Sequence, residues 1–153
     1  MHVLLRIPKL GTEIDALCHA HDEVSLSCGS VWIAIAGRAF SSRRERDLDE
    51  QIRRQMKTYL YVAQMAKQGT GFQAFRAEVS QVSSSFLDVE ATLVPKYYEK
   101  QRILPNAKSW LRIGGFKEVK SDAFNSLRVA GNGKPVSAVL QRSMLSVVFV
   151  CAD

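Results

Sequence analysis

Residues 58–82 read TYLYVAQMAKQGTGFQAFRAEVSQV, and this stretch decides the fold. Residues 58–64 and 72–82 are rich in β-branched and aromatic side chains, which is the composition of strands. The glycines of the intervening KQGTG are typical of a hairpin loop. The stretch therefore predicts two antiparallel strands, although VAQMAKQ also fits the continuation of a helix.

Two helices are predicted before this hairpin. Residues 47–56, DLDEQIRRQM, place Leu48, Ile52 and Met56 four residues apart on one face. Acidic residues open this segment and arginines close it, the polarity that the helix dipole favours. Residues 12–20 predict a shorter helix, whose first turn a threonine can cap.

Short apolar runs predict the remaining strands. Residues 30–40, SVWIAIAGRAF, alternate in period two, so that Trp32 shares one strand face with small alanines while aliphatic residues occupy the other. Short helical turns are expected at residues 95–99 and 121–128, and a turn at 131–135. Further strands are predicted at residues 2–6, 24–26, 108–113 and 145–151.

Strands that pair through hairpins, rather than alternating regularly with helices, predict an α+β fold. We expect a small mixed β-barrel or curved sheet of five to seven strands, flanked by three short helices. The 153 residues, of which 46% are hydrophobic and 24% charged, predict a single domain over residues 1–153. No apolar run reaches the roughly 18 to 20 residues of a membrane span, and no signal-peptide pattern is present, so we expect a cytoplasmic protein with no membrane partner.

The net charge of +6 makes polyanions the first candidate partners. Basic residues concentrate between positions 43 and 57, where four acidic residues dilute them. A solvated helix face explains this mixture about as well as a track for phosphates does. The residues predicted to contact phosphate are Arg43, Arg44, Arg46, Arg53 and Lys96.

Residues that could carry catalysis or bind a metal do not form a recognisable constellation. Cys18, His19 and His21 are metal-ligand types, but the sequence has no second Cys/His cluster to complete a structural zinc site. The serines at 83–85 have no suitably spaced His and Asp to activate them. GNGKP at 131–135 lacks the length and the following Ser or Thr of a phosphate loop. We therefore expect no enzyme activity, no metal and no cofactor.

Aromatic residues alternate with basic ones along the predicted strands and loops. Proteins that hold an unpaired or flipped base combine aromatic walls with cationic tracks, whereas core packing is the ordinary role of a strand Trp or Tyr. The aromatic residues are Trp32, Phe40, Tyr59, Tyr61, Tyr97, Tyr98 and Trp110, and the cations between them are Arg38, Arg43, Lys96, Lys100 and Lys108.

Between residues 31 and 119 the sequence resembles the EVE/YTH branch of the PUA-like superfamily. VWIAIAGR is similar to the tryptophan-bearing strand of that family, and LDEQIRRQMKTYLYVAQ to its helix leading into a strand. GTGFQAFRAEVSQV resembles a YTH strand, and LVPKYYEK with AKSWLRIGGFKEV resembles the following loop and tryptophan strand. The resemblance implies a small β-barrel flanked by helices, with an aromatic-lined pocket for a modified base.

Carried over to this chain, the resemblance implies one wall of the pocket at Trp32 and a second wall at Tyr97 or Tyr98. The backbone of Ile33 would face the base edge. The first strand of the superfamily often ends in Lys-Ser, and here Lys9 lies near that place. The expected base pocket consists of Trp32, Ile33, Arg38, Tyr97, Tyr98 and Lys9.

The resulting expectation is a non-catalytic reader of a methylated or hydroxymethylated base, flipped out of DNA rather than RNA. It would be the specificity module of a modification-dependent restriction or antiviral defence system, with any nuclease in a separate domain or partner subunit. Three alternatives stay open: a reader of methyladenine in RNA, an interaction domain whose basic face docks an acidic protein, and an enzyme acting on a nucleotide.

Overall fold

A computed structural model describes residues 1–9, 13–36, 40–69, 71–101, 107–142 and 146–152. These residues form eight strands and five helices, with two short 3-10 turns between β4 and α3. In chain order they are β1 (His2–Arg6), α1 (Ile14–Cys28), β2 (Val31–Ala36), α2 (Ser42–Arg53), β3 (Tyr59–Met65), β4 (Phe72–Ser83), α3 (Tyr97–Gln101), β5 (Ala107–Ile113), β6 (Lys117–Glu118), α4 (Ser121–Ser126), β7 (Arg128–Val129), α5 (Val136–Arg142) and β8 (Val147–Cys151).

The described strands join in one open, curved sheet, in the order β2-β5-β4-β3-β1-β8-β7, and β6 pairs with β4. The predicted hairpin lies near its centre, where β3 and β4 pair antiparallel from Tyr59 opposite Glu78 to Met65 opposite Phe72. β1 pairs parallel with β3 and antiparallel with β8. The sheet is therefore mixed, and the predicted α+β class is confirmed.

Helix α1 is longer than predicted and includes residues 24–26. The small strand predicted at those residues is therefore wrong. Its buried side chains keep helical spacing to Ser25. The helix ends at Gly29, which adopts φ 84° and donates its N–H to the Ser25 carbonyl at 2.8 Å. Glycine takes this left-handed conformation without a steric penalty. The predicted cap, Thr12, lies outside the described residues.

Helix α2 begins and ends earlier than predicted. It begins at Ser42 because the Ser41 hydroxyl accepts the N–H of Arg44 at 3.3 Å and caps the first turn. It ends at Arg53 because Gln55 turns into the left-handed region, with φ 58°. Met56, predicted to close the apolar face of the helix, lies beyond it and is exposed.

The number of elements also exceeds the prediction of five to seven strands and three helices. β6 and β7 contain two residues each, too few for an alternating pattern to be seen in the sequence. Helix α5 has only seven residues and was not predicted. β7 extends one end of the sheet, β6 pairs with β4, and α5 packs on one face. The additional elements leave the α+β class unchanged.

Different helices pack on the two faces of the sheet. Leu17 of α1 and Leu48 of α2 join one cluster with Leu60 and Val62 of β3. α4 and α5 pack on the opposite face, in a cluster that includes Tyr61. Each fully buried aliphatic side chain contributes about 1.5–3 kcal/mol to stability. Within the described residues, no helix is both long and apolar enough to cross a membrane.

Candidate nucleic-acid interface

Trp32 of β2 is part of the core and not an open wall. Its relative exposure is 0%, and its indole N–H donates to the carboxylate of Glu90, which lies 3.8 Å from the guanidinium of Arg112. The hydrogen bond from Trp32 is the main reason that the pKa of Glu90 lies below its usual value. The stacking surface predicted at Trp32 is therefore a core contact that ties β2 to the segment before α3.

Tyr98, the other predicted wall, is also a core residue, with 2% exposure. Its hydroxyl accepts the N–H of Ala34 at 2.9 Å and lies 2.7 Å from Nε2 of His21. The Nδ1 of His21 lies 2.6 Å from the carbonyl oxygen of Leu17. Because a carbonyl can only accept, Nδ1 carries the proton and Nε2 accepts from Tyr98. Burial lowers the pKa of His21 to about 4, so the ring is neutral at pH 7.

The contact to Tyr98 also defines the orientation of β2, the terminal strand of the sheet. The N–H of Ala34 points away from β5, towards Tyr98. Backbone directions alternate along a strand, so the N–H of Ile33 points to β5, where Ile33 lies opposite Leu111. The backbone of Ile33 is therefore used in sheet pairing, contrary to the prediction that it faces a base edge.

Two of the predicted site residues, Lys96 and Tyr97, lie together at a cavity of about 600 Å³ between α1 and the segment 91–99. We call this space the α1 cavity. Its volume is within the roughly 300–1,000 Å³ that is usual for small-ligand pockets. The α1 side is lined by Ala20, Glu23 and Val24, and the other side by Ala91, Thr92, Val94, Pro95, Lys96, Tyr97 and Glu99.

Tyr97 is the distinctive residue of the α1 cavity. Its side chain is partly buried, and its hydroxyl is buried with no hydrogen-bond partner among the described residues. An unsatisfied buried polar group costs about 1–3 kcal/mol. Its ring lies 6.3 Å from that of His21 and 5.5 Å from that of Tyr98, so the buried aromatic network holds it in place. The α1 cavity is thus lined by a positioned aromatic residue, whose hydroxyl is itself enclosed by the protein.

The other two predicted pocket residues are not placed in this cavity. Lys9 is exposed beyond the end of β1. Arg38 lies outside the described residues.

Of the four arginines on α2 that were predicted to contact phosphate, two have partners within the protein. Arg43 and Arg46 are exposed, although Arg46 shares a shallow cavity of about 500 Å³ with the acidic Glu45 and Asp49. Arg44 and Arg53 already have partners: the Arg44 guanidinium lies 4.9 Å from the centre of the Phe149 ring, and Arg53 forms ion pairs with Asp49 at 3.0 Å and Glu50 at 2.9 Å.

The cysteine and histidine residues of α1 that were considered as metal ligands differ in their burial. Cys18 and His21 are buried, whereas His19 is exposed and lies 3.2 Å from Glu23. Burial, with Asp22 nearby, raises the pKa of the Cys18 thiol to about 12. Across the described ranges, no three His, Cys, Asp or Glu side chains form a group that could hold a metal.

Sequence reasoning missed the roles of His21 and Glu90. The periodicity of α1 offered a signal for His21, which lies four residues after the buried Leu17. Glu90 has no such signal, because the segment around it has no regular period.

Comparisons with known proteins add no information on the roles of these residues. The chain gave no match to protein-family profiles, to curated proteins or to solved structures. The EVE/YTH resemblance stays a prediction carried by the motifs between residues 31 and 119.

Proposed function

We propose that the chain binds nucleic acid and reads a modified base in the α1 cavity. The observation that carries this proposal is the partly buried Tyr97 beside Lys96 at the same cavity. A flipped base needs an aromatic face for stacking, a polar group at its edge and a cation near its phosphate. Tyr97 and Lys96 supply the ring and the cation, and Thr92, which also lines the cavity, supplies a hydroxyl.

The energies involved are compatible with such a site. Extruding a base costs a few kcal/mol, and stacking on one aromatic side chain returns about 1–3 kcal/mol. A hydrogen bond to the Thr92 hydroxyl at the cavity wall adds about 1 kcal/mol. Val24 and Val94 line the cavity, and a methyl group buried against them adds about 0.8 kcal/mol, or about fourfold in affinity. That methyl term gives the preference for a modified base.

Cations outside the cavity supply the part of the affinity that does not depend on base identity. Lys96, Arg43 and Arg46 are exposed. Contacts from such side chains to phosphate release counterions from the nucleic acid, and this release favours binding less as the salt concentration rises. The roles implied by the family resemblance belong to this proposal as well. They are DNA as the substrate rather than RNA, and a restriction or defence system whose nuclease is a separate domain or subunit. The cytoplasmic location expected from the sequence itself is also part of the proposal.

Fluorescence anisotropy with labelled oligonucleotides tests the proposal. Matched DNA and RNA strands carry one unmodified, methylated or hydroxymethylated base, and each is titrated at 50 and 200 mM salt. Tyr97→Ala is expected to remove the preference for the modified strand while keeping the salt-dependent background binding. Tyr97→Phe retains the ring and is expected to keep the preference.

Two results would overturn the proposal. One is a wild-type protein with equal affinity for modified and unmodified strands. The other is a folded Tyr97→Ala variant with undiminished preference. A preference seen only with methyladenine in RNA would replace DNA by RNA as the substrate.

A further inference from the structure

The sheet face opposite α1 and α2 ends in a cluster of basic and aromatic side chains. Tyr61 of β3 lies on this face, beneath the cluster packed by α4 and α5, and Arg76 of β4 lies directly opposite it. Since side chains on one face alternate in period two, Tyr59 shares the face with Tyr61. We call the cluster formed by His2, Tyr59, Arg76 and Lys117 the Arg76 patch.

The Tyr59 ring holds Arg76 in place, and no hydrogen bond within the described residues uses the N–H donors of Arg76. The carbon at the centre of its guanidinium lies 4.8 Å from the centre of the Tyr59 ring, which is the geometry of a cation–π contact. Arg76 is exposed, and none of the ion pairs of the described residues includes it. Its planar N–H fork is therefore positioned by the ring and available to an anion.

Lys117 adds a second unneutralised cation at the same place. It lies opposite Arg76 in the β4–β6 pair, where side-chain Cβ atoms are about 4.5–5.5 Å apart and like charges destabilise the sheet. Lys117 is exposed and, like Arg76, belongs to no ion pair of the described residues. The nearest acid on this face of β4, Glu78, lies opposite Tyr59. An anion that contacts both cations would relieve their repulsion.

His2 completes the patch as a neutral donor. Its ring lies 5.3 Å from that of Tyr59, and its Nδ1 accepts the backbone N–H of Tyr59 at 3.3 Å. Burial, together with the positive charges of the amino terminus and Arg76, lowers its pKa to about 4. The neutral ring therefore carries its proton on Nε2, which is a third donor beside the two cations.

We propose that the Arg76 patch binds the phosphate backbone of nucleic acid, with Arg76 as a bidentate donor and Lys117 as a point charge. The fork of a guanidinium matches two oxygens of a phosphate, and the net charge of +6 favours a polyanion over an acidic patch of limited size. The inference depends on the proposed function in one respect, which is that the polyanion is a nucleic acid. Because the patch and the α1 cavity lie on opposite faces of the sheet, the patch supplies affinity without base preference.

The test is anisotropy of labelled DNA with the full chain and the variant R76A/K117A, measured from 50 to 300 mM salt. We expect the variant to bind about tenfold more weakly at 100 mM salt. The slope of log K against log salt should decrease in magnitude by about 1.4–1.8, because two phosphate contacts are lost. The control variant K134A/R142A removes two exposed charges elsewhere and should leave the slope unchanged. Circular dichroism melting checks that both variants fold.

The outcomes separate this inference from the proposed function. Wild-type affinity and slope in R76A/K117A would overturn the patch, as would equal losses in the control variant or no binding of DNA by the wild type at 50 mM salt. A reduced slope without any preference for modified bases would uphold the patch and contradict the base-reading proposal. An unchanged slope with an intact preference would do the reverse.

Discussion

Tyr97 and Tyr98 are consecutive, yet their hydroxyls have opposite surroundings. The Tyr98 hydroxyl bonds to both Ala34 and His21, whereas the Tyr97 hydroxyl has no partner among the described residues. Nothing local in the pair YY distinguishes the two. The difference arises because His21 on α1 and Ala34 on β2, far away in sequence, form hydrogen bonds with only one of the two hydroxyls.

Tyr98→Phe is expected to lower the free energy of unfolding by about 2–4 kcal/mol. The substitution leaves the Ala34 N–H and the His21 Nε2 buried without a partner, and each costs about 1–3 kcal/mol. Urea denaturation at pH 7.5 measures the change. Tyr97→Phe is the matched control and should cost little, because it removes a hydroxyl that bonds to nothing; equal losses in the two variants would contradict this assignment.

His21 should make stability depend on pH. Its folded pKa of about 4 lies below the ordinary 6.5, so the unfolded chain binds more protons between these values. Stability from this group is complete above pH 6.5 and falls as the pH falls towards 4. For a change from pH 7.5 to 5 the expected loss is about 2 kcal/mol. His21→Gln should remove that part of the loss, and an unaltered pH profile in this variant would argue against a neutral buried ring.

At the scale of elements, the ends of helices were the least predictable feature. The apolar spacing of α2 identified its body, but the cap at Ser41 and the left-handed turn at Gln55 involve single residues that no period reveals. The β3–β4 hairpin was predicted because alternation and a glycine-rich loop agree. The parallel pairing of β1 with β3 was not, since it joins strands separated by two helices and a further strand.

The ends of α1 and α2 give predictions of opposite sign at two positions. Gln55→Gly should stabilise the protein by about 1 kcal/mol, because glycine adopts the left-handed φ of 58° without strain. Gly29→Ala, at φ 84° and with open space around a new Cβ, should destabilise it by a similar amount through the backbone alone. Melting temperatures compare the two variants, and a stabilising Gly29→Ala would contradict this account of the helix ends.

β2 shows the limit of periodicity for locating a site. Alternation placed Trp32 and Ala34 on one face, but it did not show that this face is covered too. The cover comes from the segment that carries Glu90 and Tyr98, and no pattern in that segment predicts its path. Trp32, which the sequence predicted as a base wall, is therefore a structural residue, and the proposed function places that wall at Tyr97.

At the scale of the whole molecule, the sheet separates the two proposed sites, which the sequence could not separate. The α1 cavity combines α1 with residues 91–99, and the Arg76 patch combines β1, β3, β4 and β6. Composition predicted a polyanion partner, whereas the grouping of cations required the strand register. In this account one face reads the base and the other holds the backbone.

The preference of the protein for modified over unmodified DNA, in the wild type and in Tyr97→Ala, tests base reading in the α1 cavity most directly. The wild type should bind the methylated strand about fourfold more tightly. Tyr97→Ala should bind both strands equally and retain the wild-type salt slope. A Tyr97→Ala variant that keeps the fourfold preference would contradict the assignment of the cavity.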